Sequence, residues 1–380
     1  MVQKDITDLR IGVLGGGQLG RMLIQSAMNY NLNISILDPD PNAPCVHLVK
    51  DFTVGKLTDE ETVYEWGKRF DLITIEIENV NINALKRLEN EGVKIYPQPD
   101  VIELIQDKRK QKTFYKANRI PTADFVLTEG KEDVKKHLDM LPMVNKLGKE
   151  GYDGKGVQVL RSKDDLSKAF DRPGLLEKLV DFDKELSVIV TRNAKGETSC
   201  FPIVELSYHP EKNLVEFLFA PAGVSKQVEE QAYQLAQDVI EKVGMVGLLA
   251  VELFLDKSGA LLVNEIAPRT HNSGHHTIEA NLTSQFEQHL RAILDLPLGD
   301  TKLLSAAAMV NVLGEEGFEG PAKYNGLKEC LAMSGVYVHL YGKAETKSFR
   351  KMGHVTVVDK DATSVKNKAR KVKELIKVVS

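Results

Sequence analysis

Three cysteines in 380 residues, Cys45, Cys200 and Cys330, stand too far apart for a disulfide framework or a CxxC metal knuckle. No apolar run approaches the ~20 residues that cross a bilayer, and the opening segment MVQKDITDLR carries no apolar h-region. A net charge of −4 offers no basic excess for nucleic-acid phosphates. The GxxxxGK(S/T) phosphate loop is missing too, so any nucleotide site must be of another kind. These absences leave a reduced, cytosolic chain with neither a nucleic-acid nor a membrane partner. Its 42% apolar and 27% charged residues are those of a globular protein, and its length calls for more than one core.

Three units are legible. The first, 1–100, alternates strands (RIGVLG, NISILD, DLITIEIEN) with helices (LGRMLIQSAMNYN, DEETVYEWGKRF), which predicts a parallel, doubly wound α/β sheet closed by Pro97 and Pro99. The second, 101–300, mixes long helices with strand pairs joined by glycine-rich turns, an α+β pattern. The third, 301–380, holds short strands (AAAMVNVLG, GVYVHLYGK, GHVTVVD) and a lysine-rich terminal helix.

Gly15-x-Gly17-x-x-Gly20 follows the first strand and opens a helix, with Asp38 at the end of the next strand. That spacing is the dinucleotide fingerprint with its ribose-binding acid. Its physical content is narrower: backbone N–H groups at a helix N-terminus stabilise an anion. Gln18 and Arg21 would suit a phosphorylated ligand other than a dinucleotide. The motif specifies phosphate and leaves the bearer open.

In VNKLGKEGYDGKGVQVL four glycines interleave with Lys146, Lys149 and Lys155. Mobility with positive charge suits a lid over a polyphosphate; a plain hairpin turn with solvated lysines is the other reading. Further on, LAVELFLDKSGALLVNEIA predicts a hairpin turned at Asp256–Gly259. Pairing 255 with 260 sets Glu265 on the face of Glu252, one diagonal step away. Adjacent carboxylates repel unless a cation lies between them, and hard oxygen ligands favour Mg²⁺.

The Lys146 strand, the GYDGKG lid, EKLV with Glu185, and the Glu252/Glu265 pair, in this order, resemble an ATP-grasp ligase over essentially the whole chain. Within that superfamily GGGQLGRM, IEIENV, EGYDGKG, NEIAPRTHNSGHHT and RKMGH are similar to the N5-carboxyaminoimidazole ribonucleotide synthetases of purine biosynthesis. The resemblance implies an N-terminal domain like that of biotin carboxylase (1–100), a central ATP-grasp fold (101–300) and a small C-terminal β domain (301–380). It implies that ATP is bound by Lys108, Lys146, the lid residues Gly151, Tyr152, Asp153, Gly154, Lys155, Gly156 and Val157, then Glu177, Lys178, Leu179, Val180, Glu185 and His209, with Asn264 and Glu265 also on that side. Adenine would meet the backbone of EKLV, the ribose Glu185, and the phosphates Lys146. Glu252 and Glu265 would hold one or two Mg²⁺ ions. Aminoimidazole ribonucleotide (AIR) would lie between the domains on Gln18, Glu76, Asn79 and Arg269, its phosphate on Lys343 and Arg350. Bicarbonate would be the co-substrate, carboxylated onto the ribonucleotide through carboxyphosphate, with Arg269, His271, Tyr152 and Asp153 as the catalytic candidates. A homodimer and a functional link to a mutase follow from the same resemblance. Two departures stand out: Ala267 replaces the asparagine that often follows the second metal glutamate, and Asn264 would point to the other face of a regular strand.

LLVNEIAPRTHNSGHHTIEA concentrates the remaining ligand-capable side chains. His271 and His275, four apart, would suit zinc on a helix, but Asn272-Ser273-Gly274 interrupts one. A helix is expected from about Thr277 with Ile278, Leu282, Phe286 and Leu290 on its apolar stripe. Three other functions compete: a formate-dependent glycinamide ribonucleotide transformylase, an NAD-dependent oxidoreductase, and a nucleotide sensor without turnover.

Overall fold

A computed structural model of the chain describes residues 4–149, 151, 156–209 and 214–380. Short runs of Ile, Val and Leu set the first sheet, in which β1 (Arg10–Leu14), β2 (Asn33–Asp38), β3 (Asp51–Val54), β4 (Leu72–Ile75) and β5 (Lys94–Ile95) pair in parallel in the order β3-β2-β1-β4-β5. Ile11, Val13, Ile36, Leu37 and Ile73 are fully buried, as a parallel sheet covered on both faces requires. Helices α1 (Gln18–Met28), α2 (Glu60–Gly67) and α3 (Ile82–Asn90) connect the strands, and α4 (Pro99–Ile105) leads out. Strand order reverses between β1 and β4. The loops leaving those two strands therefore flank the crevice where open α/β sheets take their ligands.

The second unit begins with α5 (Lys108–Ala117), followed by a four-stranded antiparallel sheet, β6 (Phe125–Thr128), β7 (Met143–Leu147), β8 (Val157–Leu160) and β9 (Gly174–Lys178), in the order β6-β9-β7-β8. Helix α6 (Lys131–Val134) closes its small core with Met143, Leu160 and Leu176.

A nine-stranded sheet follows. Its main path is β15 (Leu261–Ala267), β14 (Gly247–Asp256), β10 (Phe182–Arg192), β12 (Val204–Tyr208), β13 (Val215–Ala220), β16 (Ala306–Leu313), β21 (Lys351–Asp359) and β19 (Val336–Leu340), with β11 (Thr198–Cys200) beside β10. Because β13 pairs with β16, the sheet runs past residue 300 without a break. One face packs Leu186, Val188, Val190, Val251 and Leu253 against α7 (Lys226–Val243), which Ser225 caps at its start and left-handed Gly244 at its end. The opposite face carries Glu185, Ser187, Glu252 and Glu265. Two small ribbons, β17 (Gly320–Pro321) with β20 (Glu345–Thr346) and β18 (Lys323–Asn325) with β22 (Lys377–Val379), adjoin α10 (Leu327–Leu331) and α11 (Ala362–Leu375).

The single helix expected from Thr277 is instead two, α8 (Thr277–Ala280) and α9 (Gln285–Ile293). Ser284 caps α9, and the Thr277 hydroxyl accepts the Gln285 N–H at 2.9 Å, so the chain turns between them. Phe286 and Leu290 do enter the core, packed against Leu19, Met22 and Leu23 of α1, whereas Leu282 is 53% exposed. Among the described residues no helix is long and apolar enough to cross a membrane.

Candidate active site

Residue 255 pairs with 261, one step off the pairing the sequence suggests, and Leu253 pairs with Val263 on the core face. In a regular ladder this register would turn Glu265 inward. A β-bulge at Asn264 restores it, so Glu265 stands directly opposite Glu252. Asn264 is thereby turned toward the cleft, contrary to the regular-strand expectation, and its Oδ1 accepts a hydrogen bond from Lys146 Nζ at 3.1 Å. Glu185 lies on β10 opposite Phe254, two residues along from Glu252, and takes the Tyr208 hydroxyl. Burial, reinforced by Glu265 and Glu185, pushes Glu252 up to about 8, and burial lifts Glu185 to about 7. Enclosure would raise Glu265 as well, but Lys108 at 2.7 Å and then Lys146 hold it below the usual carboxylate range. Its side chain is 48% exposed, which places it on the open floor of the cleft.

Among the described residues no three His, Cys, Asp or Glu side chains converge as a ready-made metal site. Two facing carboxylates, one of them raised by burial and then by the other, fit a hard cation that completes its shell with phosphate oxygens, as Mg²⁺ does. The zinc pair fares differently. His271 Nε2 lies 3.8 Å from Glu252 Oε1, whereas His275 is buried against His354, with ring centroids 4.6 Å apart.

The opposite wall is built of lysines. Lys146 on β7 reaches Glu177 Oε2 at 2.9 Å, and Lys112 on α5 reaches Oε1 at 3.0 Å. Glu177 faces neither solvent nor cleft, its side chain being 4% exposed. Burial would raise it, but the two ammonium groups hold it low; burial brings Lys112 down to about 8 against the pull of Glu177. In the EKLV linker the Lys178 and Leu179 N–H groups are taken up by the Asp124 and Pro142 carbonyls, at 2.8 and 3.1 Å. Gly156, at φ +77°, receives the Leu147 N–H on its carbonyl, and Val157 opens β8 opposite Lys146. Gly151 is half-buried. Tyr152, Asp153, Gly154 and Lys155 lie outside the described residues, as do 210–213 beside half-buried His209.

The glycine turn corrects the dinucleotide reading. The Gly16 N–H donates to Asp38 Oδ2 at 2.6 Å and the Leu19 N–H to Glu76 Oε1 at 3.1 Å. Two amides that would cradle a pyrophosphate thus already hold carboxylates of the chain itself. Glu76 packs so closely that a Cβ on Gly17 would lie 2.5 Å from its Oε1. Burial pushes Glu76 up to about 7, with the charges of Arg269 and Lys343 opposing, so all three converge on the crevice. Arg269 Nε lies 2.8 Å from Glu78 Oε1, an ion pair across the first and second units. Lys343 donates to the Lys351 carbonyl at 2.7 Å and Arg350 to the Glu345 carbonyl at 2.6 Å; Gln18 is half-buried and Asn79 exposed at the crevice edge. Arg21, expected on a phosphate, leans on the Pro44 carbonyl at 3.4 Å.

The His271 loop is clamped by Gln285, whose Oε1 accepts the His271 N–H at 2.8 Å while its Nε2 donates to the His271 carbonyl at 2.7 Å. Ser273 meets His271 Nδ1 with both its N–H, at 3.3 Å, and its hydroxyl, at 2.9 Å, which holds the ring with Nε2 turned toward Glu252. Sequence reasoning missed Lys112, Glu78, Gln285 and Lys351. Lys112 carried one legible sign, its place one turn beyond Lys108 on the same helix face. The others are brought in by tertiary contacts alone.

Comparison with known proteins follows the same lines. The ribonucleotide synthetase pre-ATP-grasp domain matches residues 9–106, the ATP-grasp domain 113–286, and the phosphoribosylaminoimidazole carboxylase C-terminal domain 307–368. The chain is 40% identical over 94% of its length to the chloroplastic phosphoribosylaminoimidazole carboxylase of Vigna aconitifolia, of which it spans 65%. It is 43% identical to the N5-carboxyaminoimidazole ribonucleotide synthetase of Thermotoga maritima, with a TM-score of 0.91 over 98% of this chain and 99% of that one. An Aspergillus clavatus N5-carboxyaminoimidazole synthase solved with ADP and 5-aminoimidazole ribonucleotide is 32% identical, with a TM-score of 0.88 over 97% and 99%. The chain belongs to the N5-carboxyaminoimidazole ribonucleotide synthetase family of ATP-grasp proteins.

Proposed function

We infer that this chain carboxylates 5-aminoimidazole ribonucleotide on its exocyclic amine, using ATP and bicarbonate and releasing ADP and phosphate. The observation that carries the reading is the position of Glu252. It faces Glu265 on the nucleotide side and lies 3.8 Å from His271 on the acceptor side, so one carboxylate pair serves both substrates.

Bicarbonate is a poor electrophile; taking the γ-phosphoryl group of ATP turns it into carboxyphosphate. The amine then forms the new C–N bond, phosphate leaves and the amine loses a proton. Lys146, anchored between Glu177 and Asn264, presents its charge to the phosphoryl oxygens. Glu185 holds the ribose, and the linker amide offered to the base is that of Val180. Mg²⁺ on Glu252 and Glu265 would supply further neutralisation of the phosphates. On the acceptor side Glu76 meets the ribonucleotide, with Lys343 and Arg350 near its phosphate, and Arg269 holds the transferred carboxylate. Ser273 holds the His271 ring with Nε2 facing Glu252, which makes His271 one candidate for orienting the acceptor or taking the amine proton. Tyr152 and Asp153 of the lid are the other proton-transfer candidates. We take the working form to be a cytoplasmic homodimer, functionally linked to a mutase.

The test is ADP release from ATP, Mg²⁺ and bicarbonate with and without 5-aminoimidazole ribonucleotide, beside a tube holding glycinamide ribonucleotide and formate. Stimulation confined to the imidazole nucleotide is expected. Stimulation by the glycinamide pair would keep the nucleotide site and replace the acceptor.

A further inference from the structure

Lys112 makes no contact with the open cleft, yet it is a hub of the wall that faces it. Its side chain is 3% exposed and shares the Glu177 carboxylate with Lys146. It also donates to Thr122 Oγ1, whose hydroxyl donates to the Val263 carbonyl at 2.7 Å; the Val263 N–H returns to the Pro121 carbonyl at 2.8 Å. Val263 is the residue before the Asn264 bulge. One buried ammonium group is therefore linked to Lys146 through Glu177 of β9, and to the strand of Glu265 through Thr122.

Stability alone does not account for this arrangement. Enclosing two lysines and a glutamate is costly, and a buried ion pair is often replaceable by apolar residues with no loss of stability. Charge balance gives it a use. Two ammonium groups on one carboxylate leave one net positive charge, and of the two only Lys146 extends to the cleft, 3.1 Å from Asn264. With Glu177 as its sole close partner, Lys146 would present a neutral pair to a polyphosphate.

We propose that Lys112 is a positioning residue for the nucleotide: by sharing Glu177 it leaves the charge of Lys146 unbalanced toward the phosphates. The proposal rests on the reading of this cleft as an ATP site.

The experiment is the ATP dissociation constant, measured by calorimetry without acceptor on the wild-type chain, Lys112→Met, Glu177→Gln and the double variant, with thermal melting of each. Lys112→Met is expected to weaken ATP by about ten-fold or more. Adding Glu177→Gln removes the carboxylate that neutralises Lys146, so the double variant should recover to within about three-fold of wild type. A merely structural lysine would give losses that add, and a double variant as weak as Lys112→Met overturns the proposal. Should Lys112→Met fail to fold, the double variant alone decides: near-wild-type affinity supports the charge balance and weak binding overturns it. A wild-type chain that does not bind ATP would instead overturn the nucleotide reading on which the proposal rests.

Discussion

Glu252 and Glu265 face each other in register across β14 and β15, because Asn264 takes up one extra residue between them. Glu252 is already raised to about 8, by burial first and then by its neighbouring carboxylates, so a neutral amide at 265 removes a charge that opposes its ionisation. Glu265→Gln is expected to cut ADP release by roughly a hundred-fold or more while the protein stays folded. A coupled ADP assay with a thermal melt of the same sample checks both halves. Wild-type turnover in this variant would remove Glu265 from the metal assignment.

Gly17 has no room for a methyl group, since its Cβ would meet Glu76 Oε1 at 2.5 Å. Gly17→Ala should displace the Glu76 carboxylate, raising KM for the ribonucleotide about ten-fold or more with ATP affinity unchanged. Steady-state kinetics beside ATP calorimetry separate the two. A parallel loss of ATP binding would argue against assigning this crevice to the acceptor.

Glu78 orients Arg269 from the neighbouring unit through the 2.8 Å contact. Glu78→Gln should lower kcat roughly ten-fold, because the guanidinium loses its fixed orientation. Arg269→Lys should be worse, since a lysine lacks the planar fork that grips a carboxylate. Comparing kcat of the two variants at saturating ATP checks the order.

Four buried histidines make the fold sensitive to acid. Burial holds His276 and His289 down at about 4, and burial also lowers His275 and His354. Above pH 6.5, the ordinary histidine value, neither folded nor unfolded chain binds these protons. Between 6.5 and about 4 only the unfolded chain does, so stability falls with pH across that window. Each of His276 and His289 costs roughly 3 kcal/mol at full extent, or about 2 kcal/mol at pH 5. Urea unfolding at pH 7.5 and pH 5 should show this loss, and His289→Gln should reduce it by about one histidine's share. An unchanged pH dependence in that variant would place the titrating group elsewhere.

The parallel sheet of the first unit and the carboxylate hairpin were legible because each follows from a period: alternating strand and helix in one, two-residue repeats about a turn in the other. Symmetry about the turn pairs residue 255 with 260, whereas the fold pairs it with 261, and the bulge at Asn264 offsets that single step. No single-strand pattern shows a bulge, because it is a relation between two strands. The break between α8 and α9 went unseen for a related reason: Thr277 and Ser284 act through a turn whose hydrogen bonds form only when folded. The dinucleotide spacing was read correctly as a glycine turn. What occupies its amides, Glu76 just past β4 and Asp38 at the end of β2, depends on neighbouring strands brought together by the sheet.

The bond ladder from β13 to β16 has a practical consequence for anyone who would trim the chain. Cutting after residue 300 would not release a detachable module. It would strip β16, β21 and β19 from a shared sheet and bare the long flank of β13, an open invitation to intermolecular strand pairing and precipitation. Lys343, Arg350 and Lys351 are thus fastened to the same slab as Glu252 and Glu265. The floor under both substrates is one continuous sheet, without a seam at residue 300.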